Sequence, residues 1–166
     1  SAASDVYKRQ TFVIRVPFKI DLDADKREES KDVSEKSIKG MHVLLAEDNE
    51  LNMEIAEFLL QNEGAEVTKA WNGQEIVELF RKSEAGEFDV ILMDIMMPII
   101  NGYEAAKRIR SLDREDAKKI PIIAMTANAF TEDRIRAKEA GMDEHVAKPI
   151  DVELLIKVIH KLVKHN

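Results

Sequence analysis

Residues 41–64 read MHVLLAEDNELNMEIAEFLLQNEG, and the spacing of apolar residues changes within this stretch. His42–Ala46 is a short apolar run of the kind carried by a strand buried on both faces, whereas from about residue 50 to 62 apolar residues return at helical spacing. Asn52, Met53, Ala56, Leu59 and Leu60 fall on one helix face, which is expected to pack on a sheet, and Asn62-Glu63-Gly64 then supplies a turn. Working outward, the same strand-then-helix unit recurs. Apolar runs lie at Ala65–Ala70, Val90–Met93, Ile120–Met125 and, more weakly, His145–Ala147. Helical stretches lie near 74–86, 102–111, 130–140 and 151–164, with turn signals at Asn72-Gly73, Glu84-Ala85-Gly86, Asn101-Gly102 and Ala140-Gly141. Five such units predict an α/β fold, a five-stranded parallel sheet with five helices on both faces.

Upstream the chain changes character. Twelve of the twenty residues from Asp21 to Gly40 are charged and none is aromatic, too little apolar surface to offset the entropy of ordering, so residues 21–40 are expected to be a linker. Before it, Phe12, Ile14, Val16, Phe18 and Ile20 alternate with Thr11, Val13, Arg15, Pro17 and Lys19, the pattern of a half-buried strand. One strand cannot bury a face alone, and the chain opens without Met. Residues 1–20 are therefore expected to be the remnant of a preceding domain, with an orphan strand at about 11–20.

Composition removes several classes of function. With no Cys among 166 residues there is no disulfide, thiolate nucleophile or Cys-based zinc site, and four scattered His form no ligand cluster. The net charge is −7, and the acidic excess lies in residues 41–166, which hold 16 Lys+Arg against 24 Asp+Glu. Nucleic acid is not expected as a partner, because phosphate contacts need clustered Lys and Arg. No apolar run approaches the ~20 residues of a membrane-spanning helix, so no membrane contact and a cytoplasmic location are expected.

In an open parallel sheet, ligands gather beyond the carboxyl ends of the strands. There the sequence places Glu47-Asp48-Asn49, Asp94, Thr126-Ala127 and Lys148-Pro149. Crowded carboxylates repel one another unless a cation sits among them, and an all-oxygen set favours a hard ion such as Mg²⁺. Mg²⁺ commonly takes one or two carboxylates together with a substrate phosphate, which suggests phosphoryl chemistry. Asp94 is then the candidate nucleophile, with Lys148 and Thr126 as partners for the phosphoryl oxygens.

The motifs Leu44-Leu45-Ala46-Glu47-Asp48-Asn49, Leu92-Met93-Asp94-Ile95-Met96-Met97-Pro98, Ala124-Met125-Thr126-Ala127 and Ala147-Lys148-Pro149 resemble those of the receiver domain of two-component signalling, in order and in spacing. The resemblance covers about Met41–Asn166. It implies a flavodoxin-like sheet of order 2-1-3-4-5, with Asp94 phosphorylated from a histidine phosphodonor on a histidine kinase or histidine phosphotransfer domain. It further implies that Glu47, Asp48, Asp94 and the backbone carbonyl of Met96 hold Mg²⁺, and that Thr126 and Lys148 respond to the phosphoryl group. Thr11-Phe12-Val13-Ile14-Arg15-Val16-Pro17-Phe18 is similar to the closing strand of the ATP-binding domain of sensor histidine kinases, which suggests the tail of a hybrid histidine kinase. The nucleotide-binding motifs of such a kinase are not in the sequence, so the chain is expected not to bind ATP and at most to catalyse its own aspartyl phosphorylation.

Two places depart from the resemblance. His145 stands where receivers often carry the Tyr or Phe of the conformational switch, and Asn101 stands where Asp is common. Other classes fit less well: a haloacid dehalogenase phosphatase needs a second Asp where Met96 stands, and Glu47-Asp48 would repel the phosphate of a flavin. A receiver-like interaction module that signals without phosphorylation is the alternative. Leu51, Ile55 and Phe58 form a second apolar stripe on the first helix, which either packs against Leu154 and Val158 of the last helix or docks the phosphodonor.

Overall fold

The computed structural model describes residues 37–127 and 131–163, so the expected strand at 11–20 and most of the expected linker lie outside the described residues. Five strands, β1 (His42–Ala46), β2 (Glu66–Ala70), β3 (Val90–Asp94), β4 (Ile122–Thr126) and β5 (Glu144–Ala147), form one parallel sheet in the order 2-1-3-4-5. The helices among them are α1 (Glu50–Asn62), α2 (Gly73–Lys82), α3 (Gly102–Arg110), α4 (Glu115–Lys119), α5 (Thr131–Glu139) and α6 (Val152–Val163).

The inner strands β3 and β4 are buried at every residue, as continuous apolar runs in a parallel sheet require. Side-chain alternation divides the core into two. Leu44, Ile91, Met93, Ile122 and Ala124 face Ile76, Phe80, Ala105, Ile109 and Ala117 of α2, α3 and α4. Val43, Leu45, Val90, Leu92, Ile123 and Met125 face Met53, Ala56 and Leu60 of α1 and Leu155 and Ile159 of α6. At ~1.5–3 kcal/mol for each large apolar side chain fully buried, these layers dominate the favourable side of folding.

Several expectations are corrected in detail. The helices number six rather than five. The additional one, α4, is five residues long, too short to display a period, and buries a single residue, Ala117. The strand expected from Ile120 begins at Ile122 instead. Ile120 ends α4, and the carbonyl of Pro121 accepts from Ile91 N–H as the sheet begins. The helix expected to reach residue 86 stops at Lys82, where the extended Ser83 caps it and its hydroxyl donates to the Phe80 carbonyl at 2.8 Å. Asn52, expected on the packed face of α1, is exposed and turns its amide elsewhere. Ile38, inside the stretch read as linker, is fully buried in the core beside α1.

Two arginines tie α3 and α4 to the rest. Arg110 donates to the carbonyls of Gly141, Ala117 and Ile120 and to Asp143 Oδ2, each at 2.8 Å. Arg114 donates to the Phe80 and Ser83 carbonyls, pairs with Asp116 and lies 4.6 Å above the Phe80 ring. Both saturate helix-end carbonyls that would otherwise lack partners. Among the described residues no helix is long and apolar enough to cross a membrane.

Candidate functional site

All five strands run the same way, so the residues at their carboxyl ends meet on one edge of the sheet. Register sets their heights: Ala46 pairs with Met93, Asp94 with Met125, and Thr126 with Ala147. Glu47, one residue beyond β1, is level with Asp94, whereas Lys148, one residue beyond β5, stands two positions further on, and its long side chain reaches Asp94. The structure thus brings together Glu47, Asp48, Asp94, Thr126 and Lys148, the candidates drawn from the sequence.

Their environments differ. Glu47, Asp94 and Thr126 are buried, whereas Asp48 is exposed. Lys148 Nζ pairs with Asp94 Oδ2 at 2.8 Å and with Glu47 Oε2. The other Glu47 oxygen, Oε1, accepts from Asn49 N–H at 3.3 Å and from the Asn52 side-chain amide at 3.1 Å. Asp94 Oδ1 accepts from Met96 N–H at 3.1 Å. Lys148 N–H donates to the Thr126 carbonyl at 2.8 Å, which extends the β4–β5 ladder by one bond.

Local sequence explains these positions. Asn49 is the N-cap of α1, its side chain accepting from Asn52 N–H at 3.1 Å, so Asp48 is not spent on capping and projects free of the helix start. Asn52, in the first turn, is the polar residue that orients Glu47. The sequence held a signal for it, an amide on an otherwise apolar face.

Burial pushes the Asp94 carboxyl above its ordinary range; the Lys148 hydrogen bond and charge and the Met96 N–H oppose the rise, and the Glu47 charge adds to it. Burial alone would lower Lys148, but hydrogen bonds and charges from Asp94 and Glu47 outweigh it and hold its ammonium above the usual value. Asp94 is therefore a carboxylate whose charge is costly and is relieved by a nearby cation.

The donor set fits a hard divalent cation. One oxygen from each of Glu47, Asp48 and Asp94 lies within 4.8 Å of the others, and all three are carboxylates. Among the described residues this is the only such acidic or histidine group.

The remaining candidates lie on the loop after β3, along α1 and on β5. The Met96 side chain is exposed. Leu51, Ile55 and Phe58 are 64%, 47% and 67% exposed, and Leu154 is 49% exposed, so the stripe on α1 is not buried against the last helix. His145 is mostly covered, with Nδ1 3.3 Å from Glu144 Oε1, and it lines a cleft of about 380 Å³ with Arg134, Ile135, Lys138 and Met142.

The family model described as the response regulator receiver domain matches residues 43–160. Hybrid signal transduction histidine kinase I of Dictyostelium discoideum is 40% identical over 120 residues, which cover 71% of this chain and 7% of that kinase. The chain thus spans a small part of the curated kinase it matches. The receiver domain of sensor histidine kinase PA1611 from Pseudomonas aeruginosa, solved with a magnesium ion coordinated in its active-site cleft, is 34% identical, with a TM-score of 0.68 over 75% of this chain and 98% of that one. The co-crystal structure of the Saccharomyces cerevisiae phosphotransfer protein Ypd1 with the receiver domain of Ssk1 contains a chain 29% identical, with a TM-score of 0.67 over 76% of this chain and 90% of that one. Sheet order, the acidic apex and the family match agree: the chain belongs to the response regulator receiver domains of two-component phosphorelay signalling.

Proposed function

We propose that this chain is the receiver part of a hybrid histidine kinase and that Asp94 accepts a phosphoryl group from a phosphohistidine. The observation that carries this reading is the environment of Asp94, a buried carboxylate with an ammonium 2.8 Å from one oxygen and two further carboxylates at its side. Such a group is nucleophilic and gains from losing its charge. In the transfer an Asp94 oxygen attacks phosphorus in line with the P–N bond. The O–P bond forms as the N–P bond breaks, and the electron pair returns to the imidazole nitrogen, which takes up a proton.

Lys148 is poised to track negative charge from the carboxylate onto a phosphoryl oxygen, and the Thr126 hydroxyl supplies a neutral donor at the end of the adjacent strand. Glu47, Asp48, Asp94 and the Met96 carbonyl would hold Mg²⁺, which when bound supplies charge neutralisation to the phosphoryl oxygens. Asn52 and Asn49 position Glu47, leaving its second oxygen to Lys148.

The exposed stripe of Leu51, Ile55 and Phe58 supports a docking face for the helices of a histidine kinase or histidine phosphotransfer domain, since it continues from the helix start that bears Asp48. His145 replaces the usual aromatic switch, and its contact with Glu144 makes the readout on that strand polar. Residues 1–20 are read as the remnant of a preceding kinase domain and the charged stretch from 21 up to the buried Ile38 as a linker, with the whole in the cytoplasm and no nucleic-acid partner.

Acetyl phosphate tests the chemistry apart from any partner. Intact-protein mass spectrometry is expected to show one added phosphoryl group in Mg²⁺, none in EDTA and none in Asp94→Ala. Equal labelling of that variant, or labelling in EDTA, rejects the assignment.

A further inference from the structure

Among the described residues other than glycine, Ile99 alone has a positive φ, 69°. A β-branched side chain is the worst suited to the left-handed region, because its Cβ substituents crowd the backbone. The chain around it is held closely. Pro98, its own φ fixed by the ring, precedes Ile99. After it, the Ile100 carbonyl lies so close to Gly73 at the start of α2 that a Cβ there would meet the oxygen at 2.1 Å. The loop is closed where Gly102 N–H donates to the Ile95 carbonyl at 2.9 Å, and a Cβ on Gly102 would stand 2.3 Å from the Asp94 carbonyl oxygen. The backbone between Ile95 and Gly102 is therefore clamped at both ends beside Asp94.

Burial of the side chain does not offset this strain. The Ile99 side chain is 74% exposed, so an unfavourable backbone is combined with an unburied aliphatic group. Glycine or asparagine would hold the same turn with less strain. Met96, on the same loop, is 77% exposed. Strain that the surroundings enforce without an internal return points outward, to a partner.

We propose that Ile99 is a specificity-determining contact for the protein that delivers the phosphoryl group, presented by the clamped loop as an apolar anchor at the mouth of the site. The proposal rests on the reading of Asp94 as phosphoacceptor. Asp94 is 5% exposed, and Met96 of the same loop donates to its Oδ1 at 3.1 Å, so a protein whose imidazole reaches this carboxylate must cover the loop that leaves it. Acetyl phosphate is too small to require that contact.

The test compares, for the full chain, the rate of transfer from a phosphohistidine protein chosen because it labels the wild type, Ypd1 being the first tried, with the rate of labelling by acetyl phosphate. In Ile99→Gly and Ile99→Asn the ratio of the two rates is expected to fall about fivefold, the equivalent of a lost aliphatic contact, while the melting temperature rises as strain is released. Ile99→Val, which keeps an apolar β-branched side chain, should retain the ratio. Asn guards against a trivial loss through loop flexibility, because it tolerates the left-handed region while removing the apolar group. A wild-type ratio in both Gly and Asn variants overturns the proposal. Labelling that persists in Asp94→Ala would instead overturn the reading beneath it.

Discussion

Lys148→Met removes one ammonium and little volume, and its cost can be worked from the contacts that ammonium makes. Lys148 Nζ lies between Glu47 Oε2 and Asp94 Oδ2, and the side chains of the two acids are 3% and 7% exposed. Glu47 keeps its Asn49 and Asn52 donors and Asp94 keeps Met96 N–H, but each loses the partner of its other oxygen. Breaking a buried ion pair by removing one member costs about 3–5 kcal/mol. Lys148 itself is 20% exposed, so water can replace part of the interaction, and the lower end, about 3 kcal/mol, is expected in EDTA at pH 7. For a domain of this size that is a fall of roughly 10 °C in melting temperature.

The loss should depend on pH with a definite sign. Asp94 already has a raised carboxyl, and without Lys148 it rises further. A group whose folded value is raised keeps its contribution below the unfolded value, near about 3.9, and loses it as pH rises through the folded value. The deficit of Lys148→Met should therefore be small near pH 4 and grow towards neutrality. Mg²⁺ at a hundredfold excess over Kd, no longer competing with an ammonium, should stabilise the variant by ~2.7 kcal/mol, and by more than the same concentration stabilises the wild type. Urea unfolding in EDTA and in Mg²⁺ measures both quantities. A variant as stable as wild type in EDTA, or one that Mg²⁺ leaves unchanged, refutes the account of the site as carboxylates held together by cations.

The α1 stripe makes a contrasting prediction, since Phe58 is 67% exposed: Phe58→Ala should cost under about 1 kcal/mol in urea, far below the 3–5 of a buried Phe, while slowing transfer from a phosphohistidine protein more than labelling by acetyl phosphate. A large stability loss with normal transfer would assign Phe58 to packing. On the far side of the fold, the Arg114 hydrogen bond holds the Asp116 carboxyl down to about 2. Its contribution should be complete above about pH 4 and lost as pH falls through 2, and Arg114→Met should return the NMR-monitored midpoint to the ordinary carboxylate range; an unmoved midpoint would separate the two residues.

Much of this protein was legible along the chain because its signals are local. A buried parallel strand needs a continuous apolar run and an amphipathic helix a 3.6-residue period, and both survive in the sequence without knowledge of neighbours. Strand polarity then carried Glu47, Asp48, Asp94, Thr126 and Lys148 to one edge, since every strand of a parallel sheet ends on the same side. The short α4 escaped because five residues hold barely more than one turn, and its burial of Ala117 depends on contacts that only the assembled layers supply.

What the tertiary structure decided is which chemically similar residues differ in environment. Glu47 and Asp48 are neighbours in sequence, yet one is buried under Lys148 and Asn52 and the other is exposed, because the chain turns from strand to helix between them and Asn49. Asn52 left the packed face because Glu47 offered its amide a buried carboxylate. The stripe of Leu51, Ile55 and Phe58 has the same spacing whether it packs or docks, and only the placement of α6 leaves it open. Ile99 gave no sign of its left-handed backbone, since that conformation is set by close approaches at Gly73 and Gly102, the first residues of α2 and α3. Periodicity and strand polarity are properties of a segment and can be read from it, whereas burial, charge balance and strain are properties of what surrounds a segment and appear only when the fold closes.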